Sequence, residues 1–477
     1  MSRVRVMDNL YDFDDQFRDS ISTVDESGRR VWVYPKKPKG KMHNPRIGVT
    51  VFLLTILFVG PFLTIGGRPF LLLNFFERKF VILGQPFWPQ DFFLLAVTLI
   101  TFFVFIILFT VVFGRLWCGW ACPQTLFMEM VFRKIEYWIE GDANKQRRLN
   151  NGPWNADKIR KKGLKFTIFL AISLLISHTV MAYLIGIDQA AQVVSKPPTE
   201  NLSGFMGLMA FTGIFFWVFA YFREQACIAV CPYGRLQGVL LDKKSIAVMY
   251  DWLRGEPRGK IKKKAALELK GDCIDCNLCV HVCPTGIDIR NGTQLECVNC
   301  TACIDACDDV MEKIKKPKGL IRYSSHAAIE EGRQKLFNPR VAAYSVVLLA
   351  LISFLSFSLA TRSDIETTIL KVPGQLYQKT EAGDITNLYN IQFVNKTYDD
   401  MTLEVRIENE ATAKISKVGG GDVKVQSNGL AEGVYFIEMP VEKINAPKID
   451  LKIGVYHNGQ LVETVKTKFL GPVSFVK

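Results

Sequence analysis

The sequence predicts a polytopic α-helical membrane protein with five transmembrane helices, a small cysteine-rich α+β domain, and an all-β sandwich at the C-terminus. Three observations predict it. Five apolar stretches are long enough to cross a bilayer, which takes about 20 helical residues. A doubled cysteine motif fills residues 271–308. Beyond residue 364 the texture changes to alternating apolar and polar residues, the period of half-buried strands. The 477 residues suffice for two or three domains. A hydrophobic content of 49%, with 34 phenylalanines, is high for a chain that meets only water.

In chain order, residues 1–45 are polar, acidic at first and then basic at Lys36, Lys37, Lys39 and Lys41. They lack the apolar core of a cleaved signal peptide, and their composition predicts a partly disordered cytoplasmic tail. A membrane domain over 46–222 is expected to hold four spans, 47–67, 91–113, 166–187 and 204–222, with Pro61 kinking the first. The segment 68–90 is also apolar, but Arg68, Glu77, Arg78 and Lys79 interrupt it. It is expected at the interface or re-entrant rather than spanning. A fifth span is expected at 341–360.

Charge sets the orientation. Lysines and arginines crowd the tail and the loop 114–163, whereas loop 188–203 has only Lys196. Basic residues stay inside, so the N-terminus is expected in the cytoplasm and the C-terminus exported. The net charge of +13 then reflects topology and not nucleic-acid binding. All twelve cysteines fall on the predicted cytoplasmic side, where thiols stay reduced.

The cytoplasmic stretch 223–340 carries the cysteine-rich domain, at about 258–318. Cys273, Cys276, Cys279 and Cys283 form C-x2-C-x2-C-x3-C-P. Cys297, Cys300, Cys303 and Cys307 repeat it, with Asp308 in place of the proline. This is the spacing of bacterial dicluster ferredoxins. Three thiolates on a compact loop serve one 4Fe–4S cube, and the fourth reaches the other. Cluster one is therefore assigned to Cys273, Cys276, Cys279 and Cys307, and cluster two to Cys297, Cys300, Cys303 and Cys283. Zinc or a disulfide framework rarely needs eight thiols in two such triplets. Basic runs flank the domain: Arg254, Arg258, Lys260, Lys262, Lys263 and Lys264 before it, Lys313, Lys315, Lys316 and Lys318 after it. Such runs hold a domain near anionic lipid or dock an acidic redox partner.

The C-terminal part, 361–477, alternates at Met401, Leu403, Val405 and Ile407, and again at Ile449, Leu451, Ile453 and Val455. Asn458-Gly459 is a hairpin signal and Gly419, Gly420 and Gly421 mark another turn. Several short strands in so few residues predict an immunoglobulin-like sandwich, an interaction or folding module rather than a catalytic one.

The remaining cysteines form a second constellation. Cys118 and Cys122 follow the second span in C-x3-C-P, and Cys227 and Cys231 follow the fourth in the same pattern. A spacing of four is expected to put both sulfurs of a pair on one helical face. The repeat of two spans and a motif would bring four thiols together if the second and fourth helices are neighbours. These are the candidate catalytic residues. Such a soft site suits an iron–sulfur cluster, copper, another metal centre, or dithiol–disulfide cycling; the bland reading is two buried structural pairs. A site shared between two chains of a homodimer is left open. His178, with Met181 one turn away and Met206 and Met209 on the next helix, suggests a metal or haem ligand, against plain packing.

The segments RLWCGWACPQT, REQACIAVCPYGR, RGEPRG, GDCIDCNLCVHVCPTGIDIRNG, CIDACDDVM and GLIRY together resemble the cytochrome c oxidase accessory protein family, called CcoG, FixG or RdxA. The resemblance covers almost the whole chain. More distantly, the C-x3-C-P pairs with a ferredoxin resemble the NapH and NosR quinol-linked proteins. The family resemblance implies a bacterial inner-membrane protein that assists assembly of cbb3-type oxidase by reducing Cu(II) to Cu(I). The ferredoxin cysteines, with two 4Fe–4S clusters, and both C-x3-C-P pairs carry over one by one, the latter as a site for copper or a third metal centre. The implied partners are copper ions, oxidase subunits or copper-delivery proteins, a cytoplasmic electron donor and the lipid bilayer, with no nucleic acid. The competing readings are a quinol-linked conduit and a non-enzymatic scaffold or copper chaperone. A transporter is weaker, because the spans lack paired intramembrane charges.

Overall fold

The computed structural model describes residues 23–472, apart from 26, 76–78, 83, 88–91, 261–270, 334–337, 375, 381–382, 398, 428 and 445. The expectations placed on residues 1–22, on Glu77 and Arg78, and on Lys262, Lys263 and Lys264 lie outside the described residues. The chain divides into two compact units, Met1–Ser353 and Phe354–Lys477.

Five helices are long and apolar enough to cross a membrane: His43–Phe62, Phe92–Phe113, Ala156–Ile185, Leu202–Phe222 and Pro339–Ala360. We label their α-helical parts α1 (His43–Val59), α2 (Phe92–Phe113), α6 (Ala156–Ile185), α7 (Leu202–Trp217) and α11 (Pro339–Ala360). Between α2 and α6 lie α3 (Leu116–Trp120), α4 (Pro123–Leu126) and α5 (Arg133–Ile139). Between α7 and α11 lie α8 (Pro232–Leu240), α9 (Leu278–His281) and α10 (Ala302–Lys313).

Pro61 does not kink the first span. It sits in a 3-10 turn, Gly60–Phe62, that ends the helix. Proline has no N–H for the carbonyl of Leu57, and the Tyr183 hydroxyl donates to that oxygen instead, at 3.0 Å. The third helix starts ten residues before the expected 166. Asn155 caps it, accepting from Lys158 N at 2.8 Å, and the polar first turns are kept by Lys162 and Lys165, each 2.9 Å from Glu140. Hydropathy cannot see a cap or an ion pair. Among the described residues of the segment 68–90 there is no helix. The segment folds into short antiparallel strands β1 (Leu71–Asn74), β2 (Lys79–Ile82) and β3 (Gln85–Phe87), and β1 packs on α6.

The cysteine-rich domain is framed by β4 (Ala247–Tyr250) and β5 (Ile321–Ser324), paired antiparallel. Its core joins Val248, Tyr250, Val282, Ile289, Ile304, Met311, Leu320 and Ile321 to the cysteines. The described part of the tail makes long-range hydrogen bonds. Lys36 N donates to His281 O at 2.8 Å, Tyr137 OH to Pro35 O at 3.0 Å, and Lys37 N to Asp142 at 2.9 Å. Composition does not show these partners, which lie more than 100 residues away.

In the second unit the alternation becomes two antiparallel sheets. The strands are β6 (Ile365–Lys371), β7 (Gln378–Lys379), β8 (Ile385–Asn395), β9 (Met401–Ile407), β10 (Lys414–Lys417), β11 (Val423–Val425), β12 (Leu430–Met439), β13 (Lys448–His457) and β14 (Gln460–Leu470). One sheet has the order β10-β12-β8-β6, with β7 beside β8, and the other β11-β9-β13-β14. Leu403, Leu451, Ile453 and Val455 point into a core with Ile365, Tyr389, Phe393 and Phe469. The Asn458-Gly459 turn has φ of 50° and 81°, the left-handed pair that a two-residue hairpin needs. Two buried polar groups tie the sheets together. Tyr389 OH donates to Lys468 O at 2.9 Å, and Asn387 donates to Leu470 O at 2.9 Å.

Candidate redox site

Among the described residues all twelve cysteines are free. The eight of the doubled motif line two cavities. One is walled by Cys273, Cys276, Cys279 and Cys307, with Tyr250 and Arg290. The other is walled by Cys283, Cys297, Cys300 and Cys303, and Cys279 lines this one as well. Cys307 thus lines the cavity of the first triplet, and Cys283 that of the second. The two loops share one backbone device. Asp275 and Asn277 flank Cys276 with φ of 53° and 56°, and Asn299 and Thr301 flank Cys300 with φ of 52° and 65°. Left-handed residues on either side of a cysteine turn backbone N–H groups inward. The N–H groups of Asn299 and Ala302 face the sulfurs of Cys297 and Cys300.

Five of these thiols, Cys279, Cys297, Cys300, Cys303 and Cys307, are poorly placed to ionise alone. Burial pushes Cys279, Cys297 and Cys307 up to about 12 and Cys300 to about 11. Eight neighbouring thiols, most of them buried or half-buried, unpaired as disulfides and met by inward amides at Cys297 and Cys300, fit a soft multinuclear metal group that displaces the protons on binding. Among the described residues no group of three or more His, Cys, Asp or Glu could hold a single metal ion.

The C-x3-C-P motifs differ from the expectation of one helical face. Cys118 lies in α3, but Cys122 is extended, with ψ 123°, and Pro123 opens α4. Cys227 lies in a π-turn, Ala226–Val230, while Cys231 is extended, with ψ 111°, and Pro232 opens α8. Proline drives the residue before it out of helical geometry and is at home in a helix's first turn. Each motif is thus a break between two helices. The motifs still converge. α4 packs on the Cys227 turn, and α8 packs on α2, where Tyr233 OH lies 3.0 Å from Thr110 Oγ1. Cys227 Sγ is 3.9 Å from Thr125 Oγ1, and Cys118 Sγ is 3.2 Å from Gln237 Oε1. Burial pushes the Cys118 thiol up to about 11, against the pull of Arg115, and the Cys227 thiol to about 12, helped by Cys122, Cys118 and Cys231.

The two constellations abut. A Cβ built on Gly119, between Cys118 and Cys122, would lie 2.5 Å from the carbonyl oxygens of both Val298 and Asn299. The first membrane motif therefore rests directly on the Cys297–Cys300 loop. Trp120 Nε1 donates to Tyr323 OH at 3.0 Å, and Tyr323 OH to Asn299 O at 3.2 Å. Asp305 of α10 receives the N–H groups of Met42 and His43, each at 2.9 Å, and so caps the first membrane helix.

A buried ion network lies behind the motifs. Arg223 donates to both oxygens of Glu136, at 2.7 and 2.8 Å. Lys165 lies 3.5 Å from Glu136, and Arg133 lies 3.3 Å from Glu224. Arg223 itself has φ of 55° and separates two π-turns, Val218–Phe222 and Ala226–Val230. Sequence reading did not single out Gly119, Arg46, Arg115, Glu136 or Gln237. Gly119, Arg115 and Gln237 lie close to the motifs in sequence, whereas Arg46 and Glu136 carry no such sign.

His178 does not meet the methionines as a site. Its Nδ1 lies 2.7 Å from Leu174 O in its own helix, and Met206 and Met209 are exposed on the outer surface of α7. Met181 instead lines a cavity of about 870 Å3 with Asn74, Ser177 and Phe211.

Five apolar helices carrying an eight-cysteine domain define a membrane iron–sulfur protein of the dicluster ferredoxin class. The family profile for a 4Fe-4S dicluster domain matches residues 222–326, and that for a 4Fe-4S binding domain matches 95–145. The profile for the immunoglobulin-like fold at the C-terminus of FixG matches 355–472. Protein RdxB of Cereibacter sphaeroides is 35% identical, over 90% of this chain and 93% of its own. Nitrogen fixation protein FixG of Rhizobium meliloti is 32% identical, over 86% and 87%. Protein RdxA of Cereibacter sphaeroides is 34% identical, over 86% and 90%. The chain belongs to the FixG/RdxA family.

Proposed function

We propose that this protein is an inner-membrane reductase that takes single electrons from a cytoplasmic donor and passes them to Cu(II), giving Cu(I) for the copper centre of a cbb3-type oxidase under assembly. The observation that carries the reading is the seating of Gly119, inside the first C-x3-C-P motif, on the Val298–Asn299 backbone. Cys273, Cys276, Cys279 and Cys307 would hold one 4Fe–4S cluster, and Cys297, Cys300, Cys303 and Cys283 the other. Bound clusters supply one-electron transfer at low potential.

Copper is the substrate: Cu(II) gains one electron and becomes Cu(I). Cys118, Cys122, Cys227 and Cys231 are the proposed acceptor site, because thiolates favour Cu(I) over Cu(II). The basic tail and the loop 114–163 support an N-terminus in the cytoplasm. The β unit, on this orientation, is exported and faces oxidase subunits or copper-delivery proteins.

Anaerobic Cu(II) reduction by the reconstituted protein tests the reading, with a reductant that alone is too slow. A Cys118→Ala/Cys227→Ala variant with unchanged iron content should lose the fast reduction. Equal rates in the two proteins would remove copper from the membrane thiols. No reduction by either would leave the conduit or the scaffold.

A further inference from the structure

Two arginines set the membrane-facing cysteine cavity apart from the outer one. Arg46 and Arg115 are 3% and 6% exposed. Arg46 donates to Gly119 O at 2.7 Å and to Cys300 O at 3.5 Å. Arg115 donates to Gln237 Oε1 and Gly234 O, both at 2.8 Å, and to Cys297 O at 3.3 Å. All these acceptors are neutral, and among the described residues neither guanidinium pairs with a carboxylate. The third nearby cation differs. Arg133 donates to Pro284 O at 3.1 Å, but Glu129 at 3.1 Å and Glu224 at 3.3 Å meet its charge.

The outer cavity has the opposite arrangement. Arg290 lines it, yet Asp275 and Asp288 each hold that guanidinium at 2.6 Å. Asp308 follows Cys307 directly and adds a negative charge beside it. Cys276 is exposed, so water reaches one corner.

Reducing a 4Fe–4S cluster by one electron makes it more negative. Surrounding charge, hydrogen bonds to sulfur and solvent exposure then set its potential. Water at the Cys276 corner favours the reduced form of the outer site. Two buried cations without counter-charges favour it more strongly at the inner site, because a charge inside protein acts through a far lower effective dielectric than one in water. We propose that Arg46 and Arg115 make the membrane-facing site of Cys283, Cys297, Cys300 and Cys303 the more easily reduced of the two, so that an electron entering at the outer site settles beside the first C-x3-C-P motif. This rests on the cluster assignment proposed above. Arg46 and Arg115 act through the loop carbonyls and the field, as positioning residues.

The test is an anaerobic dithionite titration of the full-length reconstituted protein, followed by electron paramagnetic resonance, with iron counted beforehand. Two separate one-electron waves are expected. Arg115→Gln should move the upper wave to lower potential and leave the lower one in place, and Arg115→Lys should restore it. Asp308→Asn keeps an acceptor for the Gly319 N–H, now at 2.8 Å, and should raise the lower wave alone. Coincident waves, or an Arg115→Gln change that spares the upper wave, overturn the inference. If Arg115→Gln sheds iron, Asp308→Asn decides, and a shift of the upper wave or of neither overturns it. Wild-type protein that takes up iron for fewer than two clusters would overturn the cluster assignment itself, a failure read from the iron count and not from the waves.

Discussion

Gly119 shows how much one missing side chain can decide. It is buried, and the atoms a Cβ would strike are backbone carbonyl oxygens of Val298 and Asn299, at 2.5 Å. Carbonyls of a tight cysteine loop cannot swing aside as a flexible side chain does, so Gly119→Ala must push the membrane motif and the loop apart. Overpacking of this kind costs roughly 1–3 kcal/mol, and displacement of about 1 Å at a reacting junction costs up to about a hundredfold in rate. The expected outcome is a protein that keeps its iron but reduces Cu(II) at least about tenfold more slowly. Iron analysis and the anaerobic copper assay check it together, and an unchanged rate would remove the junction from the electron path. The cysteines on either side were legible from spacing, because thiol ligands must repeat at fixed intervals. Gly119 was not, since nothing in C-G-W-A-C reports a contact made 179 residues away.

At the scale of elements, the buried pair between α5 and the Arg223 turn makes a prediction about pH. Burial alone would raise the Glu136 carboxyl, but Arg223 and Lys165 hold it down to about 2, from an ordinary value of 4.5. A depressed carboxyl stabilises the fold above its unfolded value, and that stability fades as pH falls from about 4.5 toward 2. The shift corresponds to stabilisation on the order of 3 kcal/mol. Glu136→Gln leaves Arg223 buried without its counter-charge, at a cost of roughly 3–5 kcal/mol. The melting temperatures of wild-type and variant protein should differ by a constant amount from pH 7 to about 5. The gap should close as the pH drops further; acid loss of iron acts on both proteins alike and leaves the difference readable. A gap that stays fixed to pH 3 would mean that Glu136 does not carry the stability of this corner. The elements were unevenly legible in the sequence. Spans were readable to within a few residues where composition alone ends a helix, as at Phe113 and Ala360. They were misread where a cap, an ion pair or a tyrosine hydroxyl sets the end, as at Asn155 and Pro61. The C-x3-C-P motifs were misread as single helical faces because the rule of four ignores what a proline imposes on the cysteine before it.

The whole molecule joins two kinds of sequence signal with different reach. The β unit is written in local alternation, and its sheets follow that pattern strand by strand, from Ile365 to Leu470. The long-range hydrogen bonds of the tail, by contrast, go to Asp305, Asp142 and His281, more than 100 residues distant, and no local pattern announces them. The proposed orientation rests on charge alone: the basic tail and loop 114–163 against the single Lys196 of loop 188–203. That rule makes one further prediction. In spheroplasts, added protease should cut near residues 361–364, just past the last apolar helix, and release the β unit. The fragment should persist, because Ile391, Leu451 and Phe469 are fully enclosed within the sandwich and a folded sheet presents few cleavable loops. All twelve cysteines should stay with the protected part, detected by thiol labelling after detergent is added. Should protease instead degrade the cysteine-rich domain and spare the β unit, the orientation is reversed. The cysteines would then face an oxidising compartment, where buried thiols with no disulfide partner would need their clusters to keep them from oxidation.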